Sequence, residues 1–433
     1  MPDQESIGRN VLLEEENKRL RLAVEELSIL NDIATAIAST QGLDELANLI
    51  IQKCVKHLKV EQGAVMLLEE QYQKNPFHTL VRKQDTAAKL LPFRLDAQLA
   101  GWMIKNKTPL LINDLINDHR FKDMASSGIK LQSLLIVPLI LKGRLIGLIS
   151  VFNKKTEPGF TSDDQRLLAI IAGQSAQVIE NARLYEEEQA LFKLQEEMRL
   201  ARDIQMNLLP ANSPQIAGYD IAGRTIPAKE VGGDYFDYIH LNDHCLAFCL
   251  GDVSGKGMPA ALLMANLQAT LRGQAVLEIS CRICMERSNK LLFHGTDSTK
   301  FATLFYGILN AEKHELCYSN AGHDFPLLFA AGKTPSRLKT GGVVLGFVPD
   351  FSYSEARMTL NQGDVLVLYS DGITEAMNEQ EQEFGEQRLA RTVQQHIAEP
   401  AEAIINHILV QVREHSGRVP QMDDMTLLIV KRP

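Results

Sequence analysis

Aspartates set beside glycine or a second aspartate recur through the last half of the chain. They stand in Gly232-Gly233-Asp234-Tyr235-Phe236-Asp237, Gly251-Asp252-Val253-Ser254-Gly255-Lys256-Gly257, Ser370-Asp371-Gly372 and Asp423-Asp424-Met425-Thr426. Several carboxylates delivered to one place form a cage for hard divalent cations. Such a cage can make water a nucleophile at neutral pH. A solitary Asp at a turn is ordinary turn chemistry, but this set, each member beside an apolar run, points to a shared site.

The flanking runs show how the acids are positioned. Residues 246–250 read as a buried strand that ends at Gly251-Asp252, and glycines then turn the chain into a helix opening at Met258. Residues 365–369 run likewise into Ser370-Asp371-Gly372, and Asp423-Asp424 precede a strand over 426–431. Strand ends are rigid places from which to converge side chains. The first of these runs belongs to a strand over 245–253; further strands are expected over 219–226, 303–309 and 315–320, and helices over 258–272, 277–292, 386–395 and 400–415. Strands early and late with helix pairs between them predict α+β layers and not a βαβ repeat.

With 433 residues the chain is too long for one ordinary domain. A net charge of −9 without a basic stretch argues against a nucleic-acid partner. The longest apolar runs, such as 134–141, fall far short of the roughly 20 residues a membrane helix needs. The N-terminus is polar and charged, unlike a secretory signal. A cytoplasmic protein with no membrane partner is the expectation. Six cysteines do not make a disulfide framework in a chain of this size, and the lone pair Cys281 and Cys284 is read as ordinary reduced thiols.

Residues 1–39 read as a coiled-coil helix. Leu13, Leu20 and Leu27 recur every seven residues, with Asn17, Val24 and Asn31 in the alternate seam, a pattern for a parallel homodimer or for a solvated helix packing on its own domain. Residues 40–182 read as an α/β domain. It has a helix over 43–58, a strand over 63–68 and a hairpin of 133–141 with 145–153 around Lys142-Gly143-Arg144. A closing helix begins near Ser162, with Thr161 and Ser162 as N-cap candidates. Over 183–210, Leu184, Leu191, Met198 and Gln205 form one seam and Leu194, Ala201 and Leu208 the other, ending at Pro210. This linker reads as a coiled-coil rod able to carry a signal, or as a plain spacer.

At this point a resemblance appears. Asn113-Asp114-Leu115-Ile116-Asn117-Asp118-His119-Arg120-Phe121, Val137-Pro138-Leu139, and Phe160-Thr161-Ser162-Asp163-Asp164 leading to Glu180-Asn181-Ala182-Arg183-Leu184-Tyr185 resemble a GAF domain over about 28–185. The resemblance implies a sensor with a small-molecule ligand, or a dimerisation module. Asn153-Lys154 and Phe160 are faintly similar to a cyclic-nucleotide motif that is degraded here at Asp164-Gln165. No cysteine lies between Cys54 and Cys245 to attach a bilin within the domain core.

Gly232-Gly233-Asp234-Tyr235-Phe236 is shared with diguanylate cyclases, but nothing else supports that enzyme. Gly251 to Gly257 has neither the spacing nor the Ser or Thr after lysine of a phosphate-binding loop. The full ordered set, with Ala201-Arg202-Asp203-Ile204-Gln205, Leu208-Leu209-Pro210, Phe301-Ala302-Thr303-Leu304, Asn320-Ala321-Gly322-His323 and Gly341-Gly342 to Leu345-Gly346, resembles the metal-dependent PPM phosphatases. It is most similar to their bacterial sporulation and sigma-factor-regulator branch. Over 211–433 this implies a β-sandwich flanked by helices, with two Mn²⁺ or Mg²⁺ ions between the sheets.

By the same resemblance, Asp252 bridges the two metals and the Val253 carbonyl binds one. Asp371 and Asp423 complete the first metal, Asp234 serves the second, and Asp424 is a ligand or sits just behind one. Metal-activated water would attack phosphoserine or phosphothreonine in line. Lys229 is a candidate to grip phosphate, and His323 a candidate general acid. The implied enzyme is a protein-serine/threonine phosphatase gated by the GAF domain, its substrate an anti-sigma-factor antagonist or similar phosphoprotein. The alternative is a catalytically inactive binding module that sequesters a partner.

Overall fold

The computed structural model describes residues 42–68, 77–84, 97–118, 120, 131–277, 280–297, 299–330 and 333–433, and scattered positions between 13 and 31. The chain divides into two units, Met1–Lys193 and Leu194–Pro433.

In the first unit the order is α1 (Leu43–His57), β1 (Val60–Leu68), β2 (Phe77–Gln84), α2 (Ala97–Asn106), β3 (Leu110–Ile112), β4 (Leu134–Leu141), β5 (Arg144–Lys154) and the start of α3 (Ser162–Met206). Its sheet has the strand order β2-β1-β5-β4-β3. The period-two alternation of β4 divides its side chains between two cores. Leu135, Val137 and Leu139 pack with α1 and α3, while Leu134 and Ile136 pack with α2. The expected hairpin turns at Lys142 (φ 49°) and Gly143 (φ 80°), the pair of left-handed residues that a tight hairpin requires. β2, α2 and β3 were not expected from the sequence.

Thr161 caps α3. Its hydroxyl accepts from Asp164 N at 3.2 Å, and the Asp164 carboxylate accepts from Thr161 N at 2.9 Å, a reciprocal capping box. The helix is 45 residues long without a break, so the closing helix and the expected linker are one element, and the unit boundary falls inside it. It ends at Met206, short of Pro210 where the seams were expected to stop. The described positions between 13 and 31 are helical, and the seam residues Leu13, Leu20, Val24 and Leu27 are exposed. His119 and Phe121 lie outside the described residues.

The second unit continues with β6 (Asp220–Ile226), β7 (Tyr235–His240), β8 (Cys245–Val253), α4 (Met258–Ala275), α5 (Cys281–Gly295), β9 (Ala302–Asn310) and β10 (Glu315–Ala321). Then come β11 (Leu327–Phe329), β12 (Ser336–Arg337), β13 (Gly341–Gly342), β14 (Ala356–Thr359), β15 (Val365–Tyr369), α6 (Asp371–Thr374), α7 (Gly385–Gln395), α8 (Ala401–Ser416) and β16 (Met425–Lys431). One sheet has the order β13-β10-β9-β8-β7, with β14 also on β10, and the other β12-β11-β15-β16-β6.

Alternation again explains the layers. Leu366, Leu368, Leu428 and Val430 share a core with Phe248, Leu250 and Phe305 of the first sheet and with α4 and α5. Val365, Val367, Leu427 and Ile429 face Leu389, Val393, Ile404 and Ile408 of α7 and α8. The result is a β-sandwich with helices on both outer faces, within an α+β chain. All six cysteines are free, Cys281 and Cys284 among them. No helix among the described residues is long and apolar enough to cross a membrane.

Candidate metal centre

Strand register brings the acidic motifs together. Antiparallel pairing sets Tyr235 opposite Gly251, so Asp234 at the start of β7 lies beside Asp252 at the end of β8. In the second sheet Tyr369 pairs with Leu427, which sets Asp371, just past β15, near Asp423 and Asp424, just before β16. Asp252, Asp423 and Asp424 line one cleft with Gly232, Gly233 and Lys256.

Asp424 stitches the two sheets. One carboxylate oxygen accepts from Ala228 N at 2.8 Å, and the other from Gly233 N at 2.7 Å and Asp234 N at 3.3 Å. Carboxylates holding several backbone N–H groups form strong charge-assisted bonds. The glycines are required here. A Cβ on Gly232 would enter the Asp424 carboxylate, and one on Gly233 would lie 2.9 Å from Asp252 Oδ1 and 3.2 Å from the Val253 carbonyl. Ser370 Oγ donates to Asp424 O at 3.1 Å and accepts from Thr426 N at 2.9 Å, tying the ends of β15 and β16.

The electrostatics of this cluster call for positive charge. Asp234 is buried, and its Oδ2 has no hydrogen-bond partner. Burial, then the charge of Asp252, holds its carboxyl well above the usual carboxylate range. Asp252 is pushed up to about 7 by burial and by Asp371, Asp423 and Asp424. Asp371 is raised by burial and by Asp423. An orphaned carboxylate oxygen among like charges is what a hard-cation site looks like without its ion. The donor set is all oxygen, which suits Mg²⁺ or Mn²⁺ over softer metals.

Other residues surround the centre. Asp252 N donates to Thr303 Oγ1 at 3.2 Å, and that hydroxyl meets His323 Nδ1 at 2.9 Å. Burial lowers the His323 pKa to about 4, which favours the neutral ring near pH 7. Asp324 was not expected. It is pushed up to about 6 by burial and by the charge of Asp371, so the acidic field extends beyond the four motifs. Lys229 lines the cleft, as does Lys256, which donates to Asp423 Oδ2 at 2.6 Å.

Asp237, the last acid of its motif, is separate. It is fully buried, receives a bidentate bond from Arg272 of α4 (2.6 and 2.8 Å), and accepts from Tyr235 Oη at 2.7 Å. It anchors β7 to α4. His396, Glu399 and His407 form a separate cluster whose ligand atoms lie within 4.8 Å of one another. The two rings stack at 3.6 Å and 9°, and each approaches one oxygen of the Glu399 carboxylate, at 2.7 and 3.0 Å.

Comparison with known proteins settles the family. Residues 242–433 match the model of Stage II sporulation protein E (SpoIIE), and residues 40–180 match a GAF domain. Phosphoserine phosphatase RsbU of Bacillus subtilis is 30% identical over 258 residues, covering 57% of this chain and 75% of that protein. The chain belongs to the RsbU and SpoIIE family of PPM-type serine phosphatases. Protein IcfG of Synechocystis is 29% identical over 264 residues, 54% of this chain and 41% of that protein. The SiaA-PP2C domain of Pseudomonas aeruginosa is similar in structure, with TM-score 0.49 and 21% identity over 56% of this chain and 98% of that one. The protein is therefore an RsbU-like serine phosphatase carrying a GAF domain, and its family is metal-dependent.

Proposed function

We propose that Asp234, Asp252, Asp371, Asp423 and the Val253 carbonyl hold two Mn²⁺ or Mg²⁺ ions, and that this centre hydrolyses phosphoserine or phosphothreonine on a signalling protein. The observation that carries the assignment is the buried, unpartnered Oδ2 of Asp234 beside Asp252. When bound, the ions supply Lewis-acid charge for phosphoryl oxygens and an acidified water. The chain's own residues place the carboxylates. Asp252 stands on a strand end held by Thr303, and Asp424 fixes the loop of Asp234 through three backbone N–H groups. Asp424 acts chiefly as that holder, because any ion must share its oxygens with those donors.

The substrate class follows from the relatives, RsbU and RsbP of Bacillus subtilis being phosphoserine phosphatases. Within that class we read the substrate as a phosphorylated anti-sigma-factor antagonist or a similar signalling protein. The GAF domain serves as the sensor, with a small molecule as its ligand, in a cytoplasmic homodimer joined through the seams of 1–39 and 183–210. The domain limits are 1–39, 40–182, 183–210 and 211–433.

With Mn²⁺ the purified chain is expected to hydrolyse p-nitrophenyl phosphate, and Asp252→Asn to abolish this. Equal rates in the two proteins would sink the assignment. A folded chain that takes up no Mn²⁺ in calorimetry would instead support an inactive binding module.

A further inference from the structure

Lys256 Nζ lies 2.6 Å from Asp423 Oδ2 and 3.1 Å from Met422 O, at the mouth of the acidic cleft. Its placement is built into the backbone. Gly255 (φ 101°) and Gly257 (φ 73°) flank it in conformations that L side chains rarely adopt, so the loop between β8 and α4 turns sharply on each side of the lysine. The side chain is 54% exposed, so it is not locked in a core and can move on its four-carbon stem. Its ammonium is the positive charge that Asp371, Asp423 and Asp424 face in this structure.

We propose that Lys256 grips the phosphoryl group of the substrate, and that in the metal-free protein its ammonium takes the place of a cation on Asp423. This rests on the metal assignment made under Proposed function. A lysine ammonium is a compact point charge with three donors, well suited to non-bridging phosphoryl oxygens. Lys256 occupies Asp423 Oδ2 while Oδ1 accepts from Asp424 N at 3.0 Å, so a divalent ion taking this carboxylate competes with the ammonium. Once released it still lines the cleft that Asp252 lines, within reach of a phosphate bound there. The same residue therefore opposes metal uptake and assists phosphate binding. Lys229, the sequence candidate for the gripping role, lines the same cleft without a comparable bond to any of the acids.

The two roles predict opposite changes in one variant, a signature that a merely structural lysine would not give. In the full chain, Lys256→Met should tighten Mn²⁺ binding in calorimetry about two- to five-fold, the size of one surface ion pair. At saturating Mn²⁺ the same variant should raise KM for p-nitrophenyl phosphate and Ki for inorganic phosphate about ten-fold, with a smaller change in kcat. Lys256→Arg should restore the phosphate constants. Unchanged Ki for phosphate in Lys256→Met overturns the gripping role, and unchanged or weaker Mn²⁺ binding overturns the stand-in role. Failure of the phosphatase assignment is distinguishable, because the unsubstituted chain would then show no Mn²⁺-dependent hydrolysis.

Discussion

Gln205 and Gly232 exchange two hydrogen bonds. The Gln205 side-chain amide donates to Gly232 O at 2.8 Å and accepts from Gly232 N at 3.0 Å, and Gln205 itself is buried. The last turn of α3 thus holds the loop that carries Asp234, as Asp424 also does. Removing the amide leaves two buried backbone groups without partners, at a cost of about 1–3 kcal/mol each. Gln205→Leu, which keeps the volume, is expected to lower the melting temperature of the metal-free chain and to weaken Mn²⁺ binding. Thermal unfolding and calorimetry check this, and a variant with parental values for both would show that the clamp holds nothing.

Asp237 and Arg272 make the second structural prediction. The carboxylate is fully buried while the guanidinium is about half exposed. Breaking such a pair from the arginine side strands a buried charge, which costs on the order of 3 kcal/mol or more. Arg272→Met should therefore destabilise strongly, whereas Asp237→Asn with Arg272→Met should recover much of the loss. A double-mutant cycle in chemical denaturation measures the coupling. Additive losses in that cycle would rule out a direct interaction.

His323 gives a pH prediction with a definite sign. Burial lowers its pKa from 6.5 to about 4, so between these values the unfolded chain binds the proton and the folded one does not. Stability from this group is fully present above 6.5 and is lost as pH falls toward 4, by at most about 3 kcal/mol. His323→Gln should flatten the acid limb of stability against pH. Carboxylates titrate in the same range, so the difference between variant and parent is the quantity to follow, and parallel curves would contradict a buried neutral ring.

These contacts mark where reading from sequence stops. β8 and β15 were legible to the residue because each is an unbroken apolar run closed by Gly-Asp or Ser-Asp. β7 was not. Asp237 interrupts its apolar pattern, and the residue that neutralises it lies 35 positions away on α4. β12 and β13 are two residues each, too short to carry a period. Gln205 fell in a heptad seam, and helical spacing cannot tell a partner helix from a loop at Gly232. Lys256 had a local signal in its flanking glycines, but its partner Asp423 is 167 residues on. His323 was singled out by its motif, while its burial is a property of the packed sandwich alone.

The same heptads that misplaced Gln205 make a firmer prediction further up α3. Leu184, Leu191 and Leu194 are 50%, 56% and 55% exposed in the single chain. The same helix also carries exposed ion pairs such as Arg199 with Glu196 and Asp203, and further exposed apolar side chains at Phe192, Leu200 and Ile204. Leucines at seven- and three-residue spacing in a charged surface are the knobs of a coiled-coil seam. Covering each one in a dimer is worth about 1.5–3 kcal/mol of transfer free energy at full burial. The chain should therefore run as a dimer at micromolar concentration in light scattering. Leu184→Glu with Leu191→Glu should shift it toward monomer while leaving the melting transition of the phosphatase unit in place. A parent chain that is already monomeric would refute the seam.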